Sequence, residues 1–317
     1  MGGYSSEVEI SLTSGSVVYK NLDRTKYNPF SIHILKEKWV YVDEAKNEFP
    51  IDKNDFSVQE NGVKTTFDCV FNAIHGTPGE DGQILAYFDL IGMKHTSAPW
   101  YQMALTFNKR DTLSVVKHYG VPAATSIYLN KGDKIDLSKI IDTVGLPCFI
   151  KPNNAGSSFG ISKAYTADEI IIGIEKAYKE DSEILIESFL DGTEVSVGVI
   201  LYKGEIKVLP ITEITTDNDF FDYEAKYHGK SEEITPARIS DVDATKVREM
   251  AKKVYKILRM SGFSRSEYIF VNGEPHFLEM NSVPGLTAES LLPQQANEAN
   301  ISLSDLFDNA IKTALNT

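Results

Sequence analysis

The chain has 317 residues, 42% of them apolar and 10% aromatic, and a formal net charge of −13. That length exceeds what one hydrophobic core usually serves, so two or three domains of ordinary soluble composition are expected. The acidic balance excludes nucleic acid and anionic membrane surfaces as general partners, and an anionic ligand must instead meet local lysines.

The cysteines Cys69 and Cys148 lie far apart in apolar β-like runs and read as buried free thiols of a reducing compartment. No run reaches transmembrane length, and the polar start Met1-Gly2-Gly3-Tyr4-Ser5-Ser6 lacks a secretory pattern, which points to the cytoplasm. Gly2 and Ser6 formally match a myristoylation pattern, but the glycines have a better use in a turn that opens a helix.

In chain order, β-like and helix-like segments alternate, which predicts mixed α/β architecture. Ser6 with Glu9 forms a capping-box pattern after Gly2-Gly3, and Ile10, Leu12, Val17 and Val18 allow a helix whose N-terminus offers an anion site. Strand-like Phe67 to Ile74 runs into His75-Gly76-Thr77-Pro78-Gly79-Glu80-Asp81-Gly82, a shaped loop at a strand end, where open α/β sheets bind ligands. A boundary near Ser97-Ala98-Pro99 precedes a helix over Ala104 to His118 that carries Lys109.

Leu146 to Pro152 reads as a strand delivering Lys151 to the loop Asn153 to Gly160. Such a Gly-Ser loop suits wrapping a polyphosphate with backbone N–H groups, although an ordinary surface loop has the same composition. Glu183 to Glu187 is a strand, and the chain turns sharply at Asp191-Gly192 into another at Glu194, a hinge that would present backbone to a purine. The aromatic, charged segment Asp217 to Lys230 reads either as a functional flap or as a decorated surface loop.

The most informative stretch is Gly262 to Gly285. Arg265 and Glu267 alternate in one β-type run, Glu279 and Asn281 in the next, and side chains two apart share a strand face. Asn272-Gly273 is a strong hairpin signal, but a regular two-residue loop would send Glu267 and Glu279 to opposite faces. A three-residue loop over Val271 to Gly273 restores the parity, placing Arg265 opposite Glu279 and Glu267 opposite Phe277. Two carboxylates and an amide oxygen on one face are the hard-oxygen set that magnesium prefers; a solvated hairpin with a charged outer face would show the same residues.

These segments, in this order, resemble an ATP-grasp ligase, and specifically the D-alanine-D-alanine ligase family, across essentially the whole chain. The resemblance is carried by Gly2-Gly3-Tyr4-Ser5-Ser6-Glu7, by His75 to Gly82, by Lys151 to Ser158, by Glu187-Ser188-Phe189-Leu190 with Glu194, by Tyr223 to Tyr227, and by Arg265 to Gly285 with Ser290 beyond. It implies a three-domain fold divided at 1–97, 98–190 and 191–317, a homodimer, and ATP-dependent joining of two D-alanines through an acylphosphate for peptidoglycan precursor synthesis.

The resemblance also implies roles. Lys109, Lys151, Ser158 and Lys226 would hold ATP phosphates; Glu187, Phe189, Leu190 and Glu194 would hold adenine and ribose; Glu267, Glu279 and Asn281 would hold two Mg²⁺ or Mn²⁺ ions. Glu7 and His75 belong to the first D-alanine, Ser290 and Leu291 to the second, Ser157 and Tyr227 to a link with the flap, and Arg265 and Gly285 to the oxyanion.

Three departures from the family pattern stand out. The apolar strand usually preceding the Gly-Gly loop is missing, so the N-terminal parallel sheet is expected to lack its first strand. Asn154-Ala155 replaces a common Arg-Glu, and Glu267 replaces Asp. Another carboxylate-amine ligase, or a nucleotide-binding relative without catalysis, is the competing reading.

Overall fold

The computed structural model describes residues 1–156, 158–216 and 231–316. In the N-terminal part, β1 (Gly2–Gly3), β2 (Ile32–Leu35), β3 (Trp39–Val42), β4 (Glu48–Asp52), β5 (Ser57–Glu60) and β6 (Val63–Thr65) form one sheet in that order. In place of the first strand expected to be missing, the first residues themselves form a short one. Gly2 and Gly3 pair parallel with Ile34 and Leu35, while the Met1 amine donates to the Ile32 carbonyl and Met1 O accepts from Ile34 N.

Beyond β1 the sheet is not parallel, as the family pattern suggested, but an antiparallel meander from β2 to β6. The connections at 36–38 and 61–62 are too short for the crossover that parallel neighbours require.

Two other local expectations change. The helix Val8–Asn21 has Glu7 at its N-cap with no side-chain cap, so the Ser6/Glu9 capping box does not form; Ser5 Oγ accepts from Glu7 N at 3.2 Å instead. The strand predicted over Phe67 to Ile74 shortens to β7 (Cys69–Val70), parallel to β8 (Lys94–His95). Asn72 ends it by accepting from Ile74 N and donating its Nδ2 to Ser97 Oγ, bonds that replace a ladder.

The predicted helix over Ala104 to His118 is broken into Trp100–Phe107 and Lys109–His118. Asn108 takes an extended ψ of 105° and its side chain accepts from Asp111 N, so Lys109 opens the second helix rather than riding mid-helix.

The central sheet runs β11 (Ser162–Ala164), β10 (Cys148–Pro152), β12 (Glu183–Ser188), β9 (Ser126–Asn130), all antiparallel. Helices Leu137–Val144 and Ala167–Ala177 share a core with it built on Ile140, Cys148, Ile150, Ile174, Ile184 and Ile186. Cys148 and Ile150 are fully buried on one face of β10, and alternation sends Phe149 and Lys151 to the other. Both cysteines are free, and burial pushes each thiol up to about 11.

The C-terminal sheet runs β15 (Ser231–Ile234), β14 (Glu205–Thr216), β13 (Thr193–Tyr202), β16 (Phe263–Val271), β17 (Glu274–Asn281), again antiparallel. Val195, Val197 and Val199 of β13 pack with Val247, Ala251 and Val254 of the helix Asp241–Ile257 in the main core. The expected flap residues, Tyr223 to Tyr227 with Lys226, and Ser157 of the phosphate loop lie outside the described residues. Among the described residues no helix is long and apolar enough to cross a membrane.

Candidate active site

The hairpin of β16 and β17 brings the predicted carboxylates together by a different route from the one expected. The loop is the two-residue turn Asn272-Gly273, with φ of 52° and 73°, not the three-residue loop. A bulge at Leu278 then reverses the parity: Val271 pairs with Glu274 and Tyr268 with Phe277, but Glu267 pairs with Glu279 and Arg265 with Asn281. The four polar side chains share one face as expected, and the two glutamates stand directly opposite each other rather than diagonally. The bulge lies where β17 is engaged on its other edge, since Phe277 N donates to Pro122 O at 2.8 Å.

Like charges at a cross-strand pair repel, and the neighbourhood supplies the compensation. Glu267, 3% exposed, forms an ion pair with Arg265, whose guanidinium also donates to Ser196 Oγ at 3.0 Å. Lys109 Nζ lies 3.7 Å from Glu279 and donates to Ala155 O of the phosphate loop.

Two carboxylates and the Asn281 amide form an oxygen donor set that fits Mg²⁺ or Mn²⁺. Among the described residues no cluster of three acidic, His or Cys groups could hold a metal by itself, so the amide and ligand oxygens would complete the shell.

This face forms one wall of a cleft open to solvent. The predicted residues Lys151, Ser158, Glu187, Leu190, Glu194, Glu267 and Glu279 all line it, which brings the phosphate loop, the hinge and the carboxylate face onto one cavity. Lys151 and Glu187 are paired at 2.8 Å diagonally across β10 and β12, Glu187 standing opposite Phe149, and against the opposing effect of burial the nearby carboxylates hold the lysine above its ordinary range. Phe189 does not line the cleft; its ring sits 6.2 Å from Phe149, with Lys163 Nζ 4.3 Å above it. Phe149 and Lys163 escaped the sequence reading. Phe149 was within reach of it, being two residues from Lys151 on the same strand face, whereas Lys163 arrives only through its pairing with Phe149 across β10 and β11.

A second group surrounds Glu7. A Cβ built on Gly156 would lie 2.9 Å from both Glu7 carboxylate oxygens, and one on Gly76 would lie 3.0 Å from Oε2, so two glycine loops close on this buried carboxylate. His75 is buried, held by Ser14 Oγ at 3.0 Å, and burial lowers its pKa to about 4, which keeps the ring neutral. Ser14 Oγ in turn accepts from Leu286 N.

Glu80, quoted in the His75 loop but given no role by the sequence, ties that loop to the segment after Asn281. Its carboxylate accepts from Gly76 N, Ser282 N and Val283 N, while burial and the nearby charge of Glu7 push it up to about 7. Gly285 abuts Ser290: a Cβ there would sit 2.7 Å from Ser290 Oγ. Ser290 is the N-cap of the helix Leu291–Glu298 without a side-chain cap bond; its hydroxyl lies 2.9 Å from Thr287 Oγ1, and the first N–H groups of the helix have no partner within it.

Two antiparallel sheets closing on a cleft lined by Lys151 and the carboxylates of Glu187, Glu194, Glu267 and Glu279 define an ATP-grasp ligase. The fold is similar to that of the VanG D-Ala:D-Ser ligase from Enterococcus faecalis, with 30% identity and a TM-score of 0.86 over 98% of this chain and 97% of that one. It is also similar to the D-alanine–D-alanine ligase from Bacillus anthracis, with 28% identity and a TM-score of 0.80 over 100% and 96%. Residues 1–98 match the family model for the D-ala D-ala ligase N-terminus and residues 115–312 that for the C-terminus. The chain is 70% identical to the D-alanine–D-alanine ligase of Flavobacterium johnsoniae over 99% of its own length and 98% of the relative's. It is 58% identical to that of Christiangramia forsetii over 100% and 97%. The chain belongs to the D-alanine–D-alanine ligase family.

Proposed function

We infer that this chain ligates two D-alanines to D-alanyl-D-alanine at the expense of ATP, a step of peptidoglycan precursor synthesis. The observation that carries this reading is the Glu267/Glu279 pair, which lines one cleft with Lys151, has Asn281 on the same strand face, and is ion-paired to Arg265 and Lys109. Phosphoryl transfer between crowded oxygens needs that concentration of cation-binding and cationic groups.

In this reading Glu7 anchors the first D-alanine's ammonium, with His75 beside it. The carboxylate of this first D-alanine attacks the γ-phosphorus and ADP leaves, giving the D-alanyl phosphate. Lys109, Lys151 and Lys226 neutralise the phosphate oxygens, Ser158 and its loop wrap them, and Glu187, Leu190 and Glu194 orient the nucleoside, with Phe189 behind them against Phe149. Bound at Glu267, Glu279 and Asn281, two Mg²⁺ or Mn²⁺ ions would supply charge neutralisation at the phosphates.

The second D-alanine, its carboxylate held by Ser290 and the Leu291 N–H, attacks the acylphosphate carbonyl with its amine. Arg265 and the Gly285 N–H stabilise the tetrahedral oxyanion until phosphate leaves. Ser157 and Tyr227 link Glu7 to the flap, which excludes water from the acylphosphate. A three-part division at 97 and 190, a homodimer and a cytoplasmic location complete the reading; the separate sheets and the two free thiols support the first and last.

The test is phosphate release from ATP with and without D-alanine, with dipeptide measured in parallel and D-serine as an alternative second amine. D-alanine-dependent release with one dipeptide per phosphate is expected. Release no greater than background, from a folded preparation, would exclude the ligase reading.

A further inference from the structure

Gln295 has no part in the chemistry described so far, yet it is fully buried and ties its own helix to two strands. It lies on the helix Leu291–Glu298, one turn after Leu291 and on the same face. Its Nε2 donates to Ser196 O and to Thr212 Oγ1, both at 2.9 Å, which joins that helix to β13 and β14. A carbonyl acceptor at Ser196 requires the amide nitrogen on that side, so the amide orientation follows from its partner. The Oε1 faces Gly198, where a Cβ would stand 2.5 Å from it, and has no hydrogen-bond partner among the described residues. A buried amide half unsatisfied is disfavoured against an apolar side chain unless its donated bonds matter.

Those bonds end on functional ground. Ser196, whose carbonyl takes the Gln295 amide, also takes the Arg265 guanidinium on its own Oγ at 3.0 Å. Thr212, the second acceptor, is 2.6 Å from Thr235 Oγ1. Gln295 thus spans, through one residue, the distance between the oxyanion guanidinium and the helix whose first turn carries Ser290 and Leu291.

We propose that Gln295 is a positioning residue for the second half-reaction: it fixes the helix that holds the acceptor's carboxylate in register with Arg265, so that the incoming amine and the oxyanion donor meet the same carbonyl. This rests on the ligase reading above. Loss of the two bonds lets the helix shift against β13, which misplaces the acceptor while leaving the nucleotide end of the cleft untouched.

The experiment measures separate Michaelis constants for the donor D-alanine, the acceptor D-alanine and ATP in Gln295→Met, which keeps the side chain's length and removes its donors. The acceptor constant is expected to rise roughly tenfold, the worth of about two neutral hydrogen bonds, with the ATP constant within twofold and more phosphate released per dipeptide. A uniform fall in kcat with no change in the acceptor constant, or no change at all, would overturn the proposal. If Gln295→Met does not fold, Thr212→Val removes one of the two acceptors and is expected to raise the acceptor constant about threefold; an unchanged constant there overturns the proposal equally. The unmodified chain is assayed alongside: absence of D-alanine-dependent phosphate release there removes the ligase reading and this inference together, whereas a working parent with an unaltered variant removes this inference alone.

Discussion

Replacing Glu279 with Gln should raise stability and lower activity, because the structure sets Glu279 directly against Glu267. Two unit charges at the cross-strand spacing of about 5 Å repel by roughly 3 kcal/mol at an effective dielectric of about 20. Arg265 offsets part of that by pairing with Glu267, and the Lys109–Glu279 ion pair that the substitution removes, at 3.7 Å and partly exposed, contributes at most about 1 kcal/mol. The net expectation in magnesium-free buffer is a gain of about 1–2 kcal/mol, read as a higher urea midpoint.

Magnesium reverses the ranking. Saturating the parent at about 100 times its Kd would stabilise it by roughly 2.7 kcal/mol, and the variant, with one anionic ligand gone, should show only a fraction of that shift. D-alanine-dependent phosphate release should fall by about 100-fold or more. A variant less stable than the parent without metal, yet shifted equally by magnesium, would refute both the facing-carboxylate geometry and its role.

Three further outcomes follow from the same residues. Lys151→Met leaves Glu187 buried opposite an apolar side chain and should cost about 3–5 kcal/mol in thermal unfolding while weakening ATP binding; adding Glu187→Leu should recover most of the stability but not the ATP affinity, and failure to recover would show that the pair is not what stabilises this part of the fold. Gly285→Ala forces a Cβ against Ser290 Oγ and should raise the D-alanine concentration needed for dipeptide formation several-fold with ATP binding unchanged, which a titration of each substrate checks. Around the His75 loop two pH-dependent terms oppose each other, beside that of the Met1 amine, which burial lowers to about 5. Burial depresses His75 to about 4, so its contribution is present above pH 6.5 and lost as pH falls through 4. Glu80, raised to about 7, contributes stability present below pH 4.5 and lost as pH rises through 7. Their slopes oppose each other between pH 4.5 and 6.5, so Glu80→Gln should lose up to about 3 kcal/mol more than the parent as pH drops from 6.5 to 4; urea midpoints that parallel the parent's across that range would refute it.

Much of the site was legible because its chemistry is local. Lys151 follows an alternating strand and heads a Gly-Ser loop, Glu187 and Glu194 bracket a turn, and the His75 loop is too rich in Gly and Pro for regular structure; each signal needs only residues a few positions apart. Errors came where neighbouring local signals compete and where the chain answers to distant partners. The capping box at Ser6 and Glu9 gave way to Ser5, and the sheet of β2 to β6 proved antiparallel because its connections are short. Neither Glu80 nor Gln295 announces itself in the sequence, since their value lies wholly in what they touch.

The Arg265 to Asn281 hairpin shows where the division falls. The sequence by itself determined which groups meet there, because alternation along a strand and the order of motifs are properties of the chain alone. Only the tertiary structure decided how they meet. Asn272-Gly273 takes the two-residue turn its composition favours, which would have separated the glutamates, and the bulge at Leu278 brings them back opposite each other. That bulge coincides with the bond from Phe277 N to Pro122 O, a partner about 150 residues away that no local pattern encodes. A one-residue change in register flips every side chain beyond it, so the face that Glu267 and Glu279 share is set by a long-range contact acting on a locally specified pair.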